Sequence, residues 1–193
     1  MTSTLIKTGQ ISLIIGSMFS GKSTELLRQL NIYSRCYKTV FVTHSIDTRS
    51  YISHNPTINT NLLNTKIEYV QCSKLDTEKL LTYDVIGIDE GQFFTNLKEP
   101  ILELIKNEKI IIVAGLDSDF NQNVFKELID LIPYAVEVKK LTALCNKCIS
   151  EKNNIINSAP VTIRISDNKE RLVVGQEEIY SVSCLKHMSK TNQ

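Results

Sequence analysis

The apolar, β-branched run at residues 11–15 leads directly into Gly16-Ser17-Met18-Phe19-Ser20-Gly21-Lys22-Ser23. The chain must therefore leave a buried strand through a tight glycine-bracketed loop and enter a helix. Consecutive backbone N–H groups in such a loop can curl around phosphate oxygens, while the helix that follows points its positive dipole end at them. Lys22 then reaches the β- and γ-phosphates, and Ser23 ligates magnesium. Nucleoside triphosphate binding is the first expectation. An ordinary glycine turn is the plainer alternative, and the strand before and helix after weigh against it.

Further apolar runs at residues 39–43, 67–70, 85–88, 110–114 and 135–138 are short and continuous, as in parallel strands covered on both faces. Between them, residues 23–33, 76–81, 97–107 and 124–131 carry apolar side chains at helical spacing. This alternation predicts an α/β fold: a mostly parallel, doubly wound sheet of the P-loop (RecA-like) kind with helices on both faces. The 193 residues, 42% hydrophobic, suffice for one such unit over residues 1–140 and a smaller lobe over 141–193. Residues 45–66, rich in Asn, Ser and Thr, read as a long loop. With 22 basic against 21 acidic side chains, the chain has no broad field for a polyanion, so nucleic-acid binding loses ground. No apolar run approaches the roughly 20 residues that span a bilayer, and the start lacks the apolar segment of a signal peptide. The expectation is a soluble cytoplasmic protein with no membrane partner.

Val85-Ile86-Gly87-Ile88-Asp89 is an apolar strand ending in a carboxylate, and Glu90 follows it. In P-loop enzymes such an Asp holds magnesium, and a neighbouring carboxylate at a strand's carboxyl end can take a proton from an attacking hydroxyl. Capping of the next helix is the other use of two acidic residues there. Asp47-Thr48-Arg49 lies beyond the second strand, also at a carboxyl end. Arginine is scarce, 5 residues against 17 lysines. Arg49 can clamp a transferring phosphoryl group with its planar guanidinium, or it can be a solvated loop charge; spacing alone leaves both open.

The five cysteines are an odd number, and three of them join His187 in two close pairs. Cys145-Asn146-Lys147-Cys148 and Cys184-Leu185-Lys186-His187 can close a tetrahedron around zinc, filling all four positions with protein. The site is then structural. Cys36 and Cys72 read as packing residues, and His44 and His54 as surface or loop residues.

The glycine loop, Asp47-Thr48-Arg49, the element Ile86-Gly87-Ile88-Asp89-Glu90-Gly91-Gln92-Phe93-Phe94 and Leu141-Thr142-Ala143-Leu144-Cys145 together resemble the type II thymidine kinases of animals, bacteria and large DNA viruses. The resemblance runs from about residue 10 to residue 187. It implies transfer of the γ-phosphate of ATP to the 5′-hydroxyl of thymidine, and of deoxyuridine, in nucleotide salvage. The implied catalytic set is Glu90 as proton acceptor with Lys22 and Arg49. ATP and magnesium would be held by Gly16, Ser17, Met18, Phe19, Ser20, Gly21, Lys22, Ser23, Asp47, Thr48, Arg49, Asp89 and Gln92.

The resemblance also implies a thymine pocket of Met18, Phe93, Leu116, Phe120 and Phe125, although core packing alone would explain the last two. Base hydrogen bonds would come from a lasso-type loop at Arg171, Leu172, Val173, Val174 and Gly175, and from Tyr180. Thr162 and Arg164 match a Thr-x-Arg element just before it. Structural zinc on Cys145, Cys148, Cys184 and His187 would pin both ends of this loop. A homotetramer and feedback inhibition by dTTP are further implications. The chain departs from the family pattern at Ser17, where proline is usual, at Asn121-Gln122-Asn123-Val124, and by an insertion between Cys148 and Ala159.

Overall fold

The apolar runs form one parallel sheet in the computed structural model, which describes residues 9–47, 66–152, 154–166 and 178–188. Its strands are β1 (Gln10–Gly16), β2 (Thr39–His44), β3 (Ile67–Cys72), β4 (Val85–Ile88), β5 (Ile110–Leu116) and β6 (Ala135–Leu141). Across the sheet the order is β3-β2-β4-β5-β1-β6, every neighbour parallel. Successive side chains in a strand point to opposite faces. Ile11, Leu13 and Ile15 accordingly join Val40, Val42, Ile86, Ile88, Ile111 and Val113 in one core. Ile14 joins Phe41, Val85, Ile112 and Ala114 in another.

Helices close both faces. Helix α1 (Lys22–Tyr33) buries Leu26, Leu27 and Leu30 in the second core. In the first core lie Leu80 of α2 (Thr77–Leu80), Ile101 and Leu104 of α3 (Lys98–Lys106), and Leu128 of α4 (Lys126–Ile129). Each of these aliphatic side chains contributes about 1.5–3 kcal/mol by leaving water. The expected doubly wound α/β sheet is present, with one adjustment. Only the four inner strands are covered on both faces; β3 exposes Glu68, Tyr69 and Gln71, and β6 exposes Val136 and Val138.

Two expected helices are shorter than their apolar spacing suggests. At residues 76–81 the Asp76 carboxylate accepts the Lys79 N–H at 3.1 Å and closes a single turn. At residues 124–131, Val124 is drawn out of the helix into a bridge with Ser118, and Pro133 starts a new 3-10 turn at Ile132–Tyr134.

After the sheet the chain builds a small lobe from β7 (Ala143–Leu144), α5 (Asn146–Ser150), β8 (Ser158–Ala159), β9 (Val161–Arg164), β10 (Tyr180–Ser183) and α6 (Leu185–Met188). Antiparallel pairing joins β7 to β8 and β9 to β10. Leu172, Val173 and Val174, expected in the lasso-type loop, lie outside the described residues. The lobe's core is Ala143, Cys145, Cys148, Ala159, Val182 and Cys184, and Met18 and Phe19 of the glycine loop pack against it. Cys36, expected to pack, is exposed; Cys72 is half-buried against the first core. Among the described residues no helix is long and apolar enough to cross a membrane.

Candidate active site

Parallel pairing brings the carboxyl ends of β2, β4, β5 and β1 to one edge of the sheet. Leu13 and Ile88 both lie beside Val113, so β1 and β4 run level with β5 between them. With strands about 4.8 Å apart, the glycine loop and the turn carrying Asp89 and Glu90 start roughly 10 Å from each other across that edge.

The loop's first glycine is dictated by crowding. Gly16 has φ +146°, and a Cβ there would meet the Leu141 carbonyl oxygen of β6 at 2.0 Å. Gly21, at φ +82°, is the N-cap of α1. Lys22 is buried, and its Nζ donates to the Ser17 carbonyl at 2.7 Å; the Ser20 hydroxyl donates to the same oxygen at 2.8 Å. One turn into α1, Arg28 holds the Glu25 carboxyl well below the usual carboxylate range, with help from Gln29 and Lys139. Lys139 reaches it at 3.0 Å, strapping the start of the helix to β6.

At the end of β4, Asp89 is buried and its N–H donates to the Val42 carbonyl at 2.9 Å. Glu90 has φ +51° and ψ +46°. A non-glycine residue in that left-handed region costs on the order of 1–3 kcal/mol, and such residues cluster at functional sites. Its Oε2 accepts the Gln92 Nε2 at 2.5 Å, and the Gln92 Oε1 accepts the Leu116 N–H at 2.9 Å. Asp47, beyond β2, is buried; its carbonyl accepts the Gln71 amide at 2.9 Å. Thr48 and Arg49 lie outside the described residues.

Cys145, Cys148, Cys184 and His187 are all buried, with their donor atoms within 4.8 Å of one another. The His187 Nδ1 lies 3.4 Å from the Cys145 sulfur and 3.6 Å from each of the other two, and the sulfurs of Cys148 and Cys184 are 3.9 Å apart. Tetrahedral zinc, with Zn–S of about 2.3 Å and Zn–N of about 2.0–2.1 Å, sets its ligand atoms roughly 3.5–3.8 Å apart. The four residues therefore fit zinc. Burial works against ionising the Cys145 thiol, but N–H donors from Cys184 and Cys148 and the His187 ring bring it down to about 6, toward the thiolate that zinc requires.

Two supporting side chains were not foreseen. The Glu151 carboxylate lies 3.4 Å from the His187 Nε2, and the Asn157 amide donates to the Cys148 sulfur at 3.4 Å. Both belong to the segment between Cys148 and Ala159. The Cys-x-x-Cys spacing marks ligands, whereas such outer partners depend on how the chain returns, so spacing carries no signal for them.

The lobe is fastened to the glycine loop. The Ser17 hydroxyl donates to the Ala159 carbonyl at 2.7 Å, and the Met18 N–H donates to the Thr162 hydroxyl at 3.0 Å. Further along, Arg164 sits between two rings, its guanidinium carbon 4.0 Å from the Phe120 centroid and 4.9 Å from that of Tyr180, and it donates to the Tyr180 hydroxyl. Phe120 stands on a loop shaped by buried Asp119, whose Oδ1 accepts the N–H groups of Asn121 at 2.9 Å and Asn123 at 3.0 Å. The Asp-x-Asn-x-Asn spacing is an Asx-turn signal that could have revealed this role.

The structure thus joins Met18 to Thr162, Phe120 to Tyr180 through Arg164, and Gln92 to the backbone of Leu116. Phe93 lies beside His44, their ring centroids 6.1 Å apart, and Phe125 is buried at the start of α4. Arg171, Leu172, Val173, Val174 and Gly175 lie outside the described residues.

A family model described as thymidine kinase matches residues 9–188. A thymidine kinase of Amsacta moorei entomopoxvirus is 38% identical, covering 90% of this chain and 94% of its own length. One from vaccinia virus (strain Ankara) is 38% identical over 92% of this chain and 96% of its own. One from Yaba monkey tumor virus is 38% identical over 92% and 93%.

Proposed function

The chain belongs to the thymidine kinase family, and from that premise we propose that it transfers the γ-phosphate of ATP to the 5′-hydroxyl of thymidine and of deoxyuridine, with Glu90 as general base. The observation that carries this reading is the facing of the glycine loop and the Glu90 turn across one sheet edge, under a lobe bonded to that loop.

ATP would lie along Gly16, Ser17, Met18, Phe19, Ser20, Gly21, Lys22 and Ser23, with its phosphates on the backbone N–H groups at the start of α1. Buried Lys22 now satisfies its charge on the Ser17 carbonyl and would exchange that partner for a phosphate oxygen. Magnesium, which neutralises charge on the phosphates, would be held by oxygen donors of Ser23 and Asp89, with Asp47 and Thr48 contributing to the ATP and magnesium site. Arg49 would clamp the phosphoryl group in transit. Glu90 would accept the proton as the 5′-oxygen attacks the γ-phosphorus and the bond from that phosphorus to the β-phosphate oxygen breaks, with ADP as the leaving group.

Thymine would rest among Met18, Phe93, Leu116, Phe120, Phe125 and Thr162, with Tyr180 and the backbone of Arg171, Leu172, Val173, Val174 and Gly175 supplying hydrogen bonds. Residues 1–140 bind the nucleotide and residues 141–193 carry the substrate loop. Zinc on Cys145, Cys148, Cys184 and His187 is structural. The enzyme serves nucleoside salvage for DNA synthesis in the cytoplasm as a homotetramer inhibited by dTTP.

With ATP and magnesium, thymidine and deoxyuridine should yield 5′-monophosphates, while purine deoxynucleosides should be disfavoured by about 100-fold or more in kcat/KM, since they leave the pocket's polar groups unmatched. Chromatography of the products decides; ATP hydrolysis stimulated by DNA, with no nucleoside phosphorylated, would reverse the assignment. For the zinc, Glu151→Ala should weaken metal affinity by about 10- to 100-fold by freeing the His187 ring. Competition against a coloured chelator measures it, and an unchanged affinity removes Glu151 from the site.

A further inference from the structure

A buried side-chain amide links the end of β4 to the end of β5. Gln92 is 4% exposed and both ends of its amide are bonded inside the protein. The Leu116 N–H can only donate, so the amide oxygen must face it, and the amide nitrogen must then face Glu90. Chemistry fixes this orientation. The amide N–H thus donates to the Glu90 carboxyl and holds that side chain in place.

Space for the link comes from Gly115. A Cβ at that position would lie 2.7 Å from the Gln92 Oε1, 2.6 Å from the Leu128 Cδ1 and 3.1 Å from the Gly91 nitrogen. Any side chain there would push the amide out of line. Glu90 itself occupies the left-handed backbone region, which persists only where the surroundings hold it.

We propose that Gln92 is a positioning residue for the reaction: it fixes the Glu90 carboxylate against the backbone of β5 and acts on turnover through Glu90, instead of holding ATP or magnesium itself. This rests on Glu90 being the base. A misplacement of about 1 Å in a reacting group can cost on the order of 100-fold in rate. Gln92→Met removes both hydrogen bonds at similar volume; Gln92→Glu keeps an acceptor for the Leu116 N–H and removes the donor to Glu90.

Steady-state kinetics of both variants, each checked for an unchanged thermal transition, and of Gln92→Met combined with Glu90→Gln, form the test. Each single variant should lower kcat by about 10- to 100-fold with KM for ATP and thymidine within about 2-fold of the parent. In the Glu90→Gln background, Gln92→Met should add no further loss beyond about 2-fold, because a residue acting through Glu90 has nothing left to position. A raised KM for ATP with kcat retained would make Gln92 a phosphate or magnesium contact and overturn the proposal. So would additive losses in the double variant, or an unchanged kcat in both single variants. If Glu90→Gln alone leaves kcat intact, the base assignment fails first.

Discussion

Glu90→Gln should lower kcat by about 10²- to 10⁴-fold while thymidine and ATP still bind. This range is what a positioned general base contributes, and it corresponds to roughly 2.7–5.5 kcal/mol of transition-state stabilisation. The substitution isolates basicity from shape. A carboxamide has the volume of the carboxylate, and its oxygen can still accept the Gln92 amide that now bonds Oε2. The turn after β4, with Asp89 anchored on the Val42 carbonyl, should keep its path. What disappears is the capacity to take the 5′-hydroxyl proton. Thymidine binding by calorimetry and single-turnover phosphoryl transfer separate the two quantities. Turnover equal to the parent's would remove Glu90 as the base and leave positioning and phosphate electrostatics to carry the rate.

The sheet was legible because its inner strands are buried on both faces, so that Ile11 through Ile15 and Val85 through Ile88 read as apolar runs interrupted only by Ser12 and Gly87. Strand β10 escaped notice for the opposite reason. Tyr180, Ser181, Val182 and Ser183 form a short, half-polar segment whose partner β9 is supplied from elsewhere in the lobe. Apolar spacing also exaggerated the helix at residues 124–131, since it cannot see that Val124 bridges to Ser118. In the site, residues that must be of one type at a fixed spacing were legible: the glycines, Lys22, Asp89, Glu90 and the three cysteines with His187. Residues whose role comes from meeting another segment were not. Ser17 stands out in the sequence only as a departure from a usual proline, yet its hydroxyl is buried on the Ala159 carbonyl of the lobe. Arg164 gave a family match and no hint that two aromatic rings hold it.

Stripping the metal, or replacing Cys184 with serine, should unfold the lobe and raise KM for ATP as well as for thymidine. Among the described residues, the lobe's apolar cluster joins Cys145, Cys148 and Cys184 to Ala143, Ala159 and Val182, and Val161 and Tyr180 are buried as well. Their burial contributes on the order of 5–10 kcal/mol, most of it offset by the entropy of ordering the chain, whereas structural zinc in small domains contributes roughly 10–16 kcal/mol to folding. Zinc bound at these four residues would therefore dominate the lobe's stability. The effect on ATP follows from two hydrogen bonds, Ser17 to Ala159 and Met18 to Thr162, and from the seating of Met18 and Phe19 on that core. At about 0.5–1.5 kcal/mol each, loss of the two bonds predicts a rise in KM for ATP of about 5- to 150-fold. The six-stranded sheet has its own two cores and should keep its thermal transition, so circular dichroism can verify that only the lobe has been lost. Ser17→Ala, with the metal in place, should give a smaller rise in the same constant, because it cuts one of the two bonds and leaves the packing. If metal-free protein keeps both Michaelis constants, the knuckle does not brace the glycine loop, and its role is confined to the lobe.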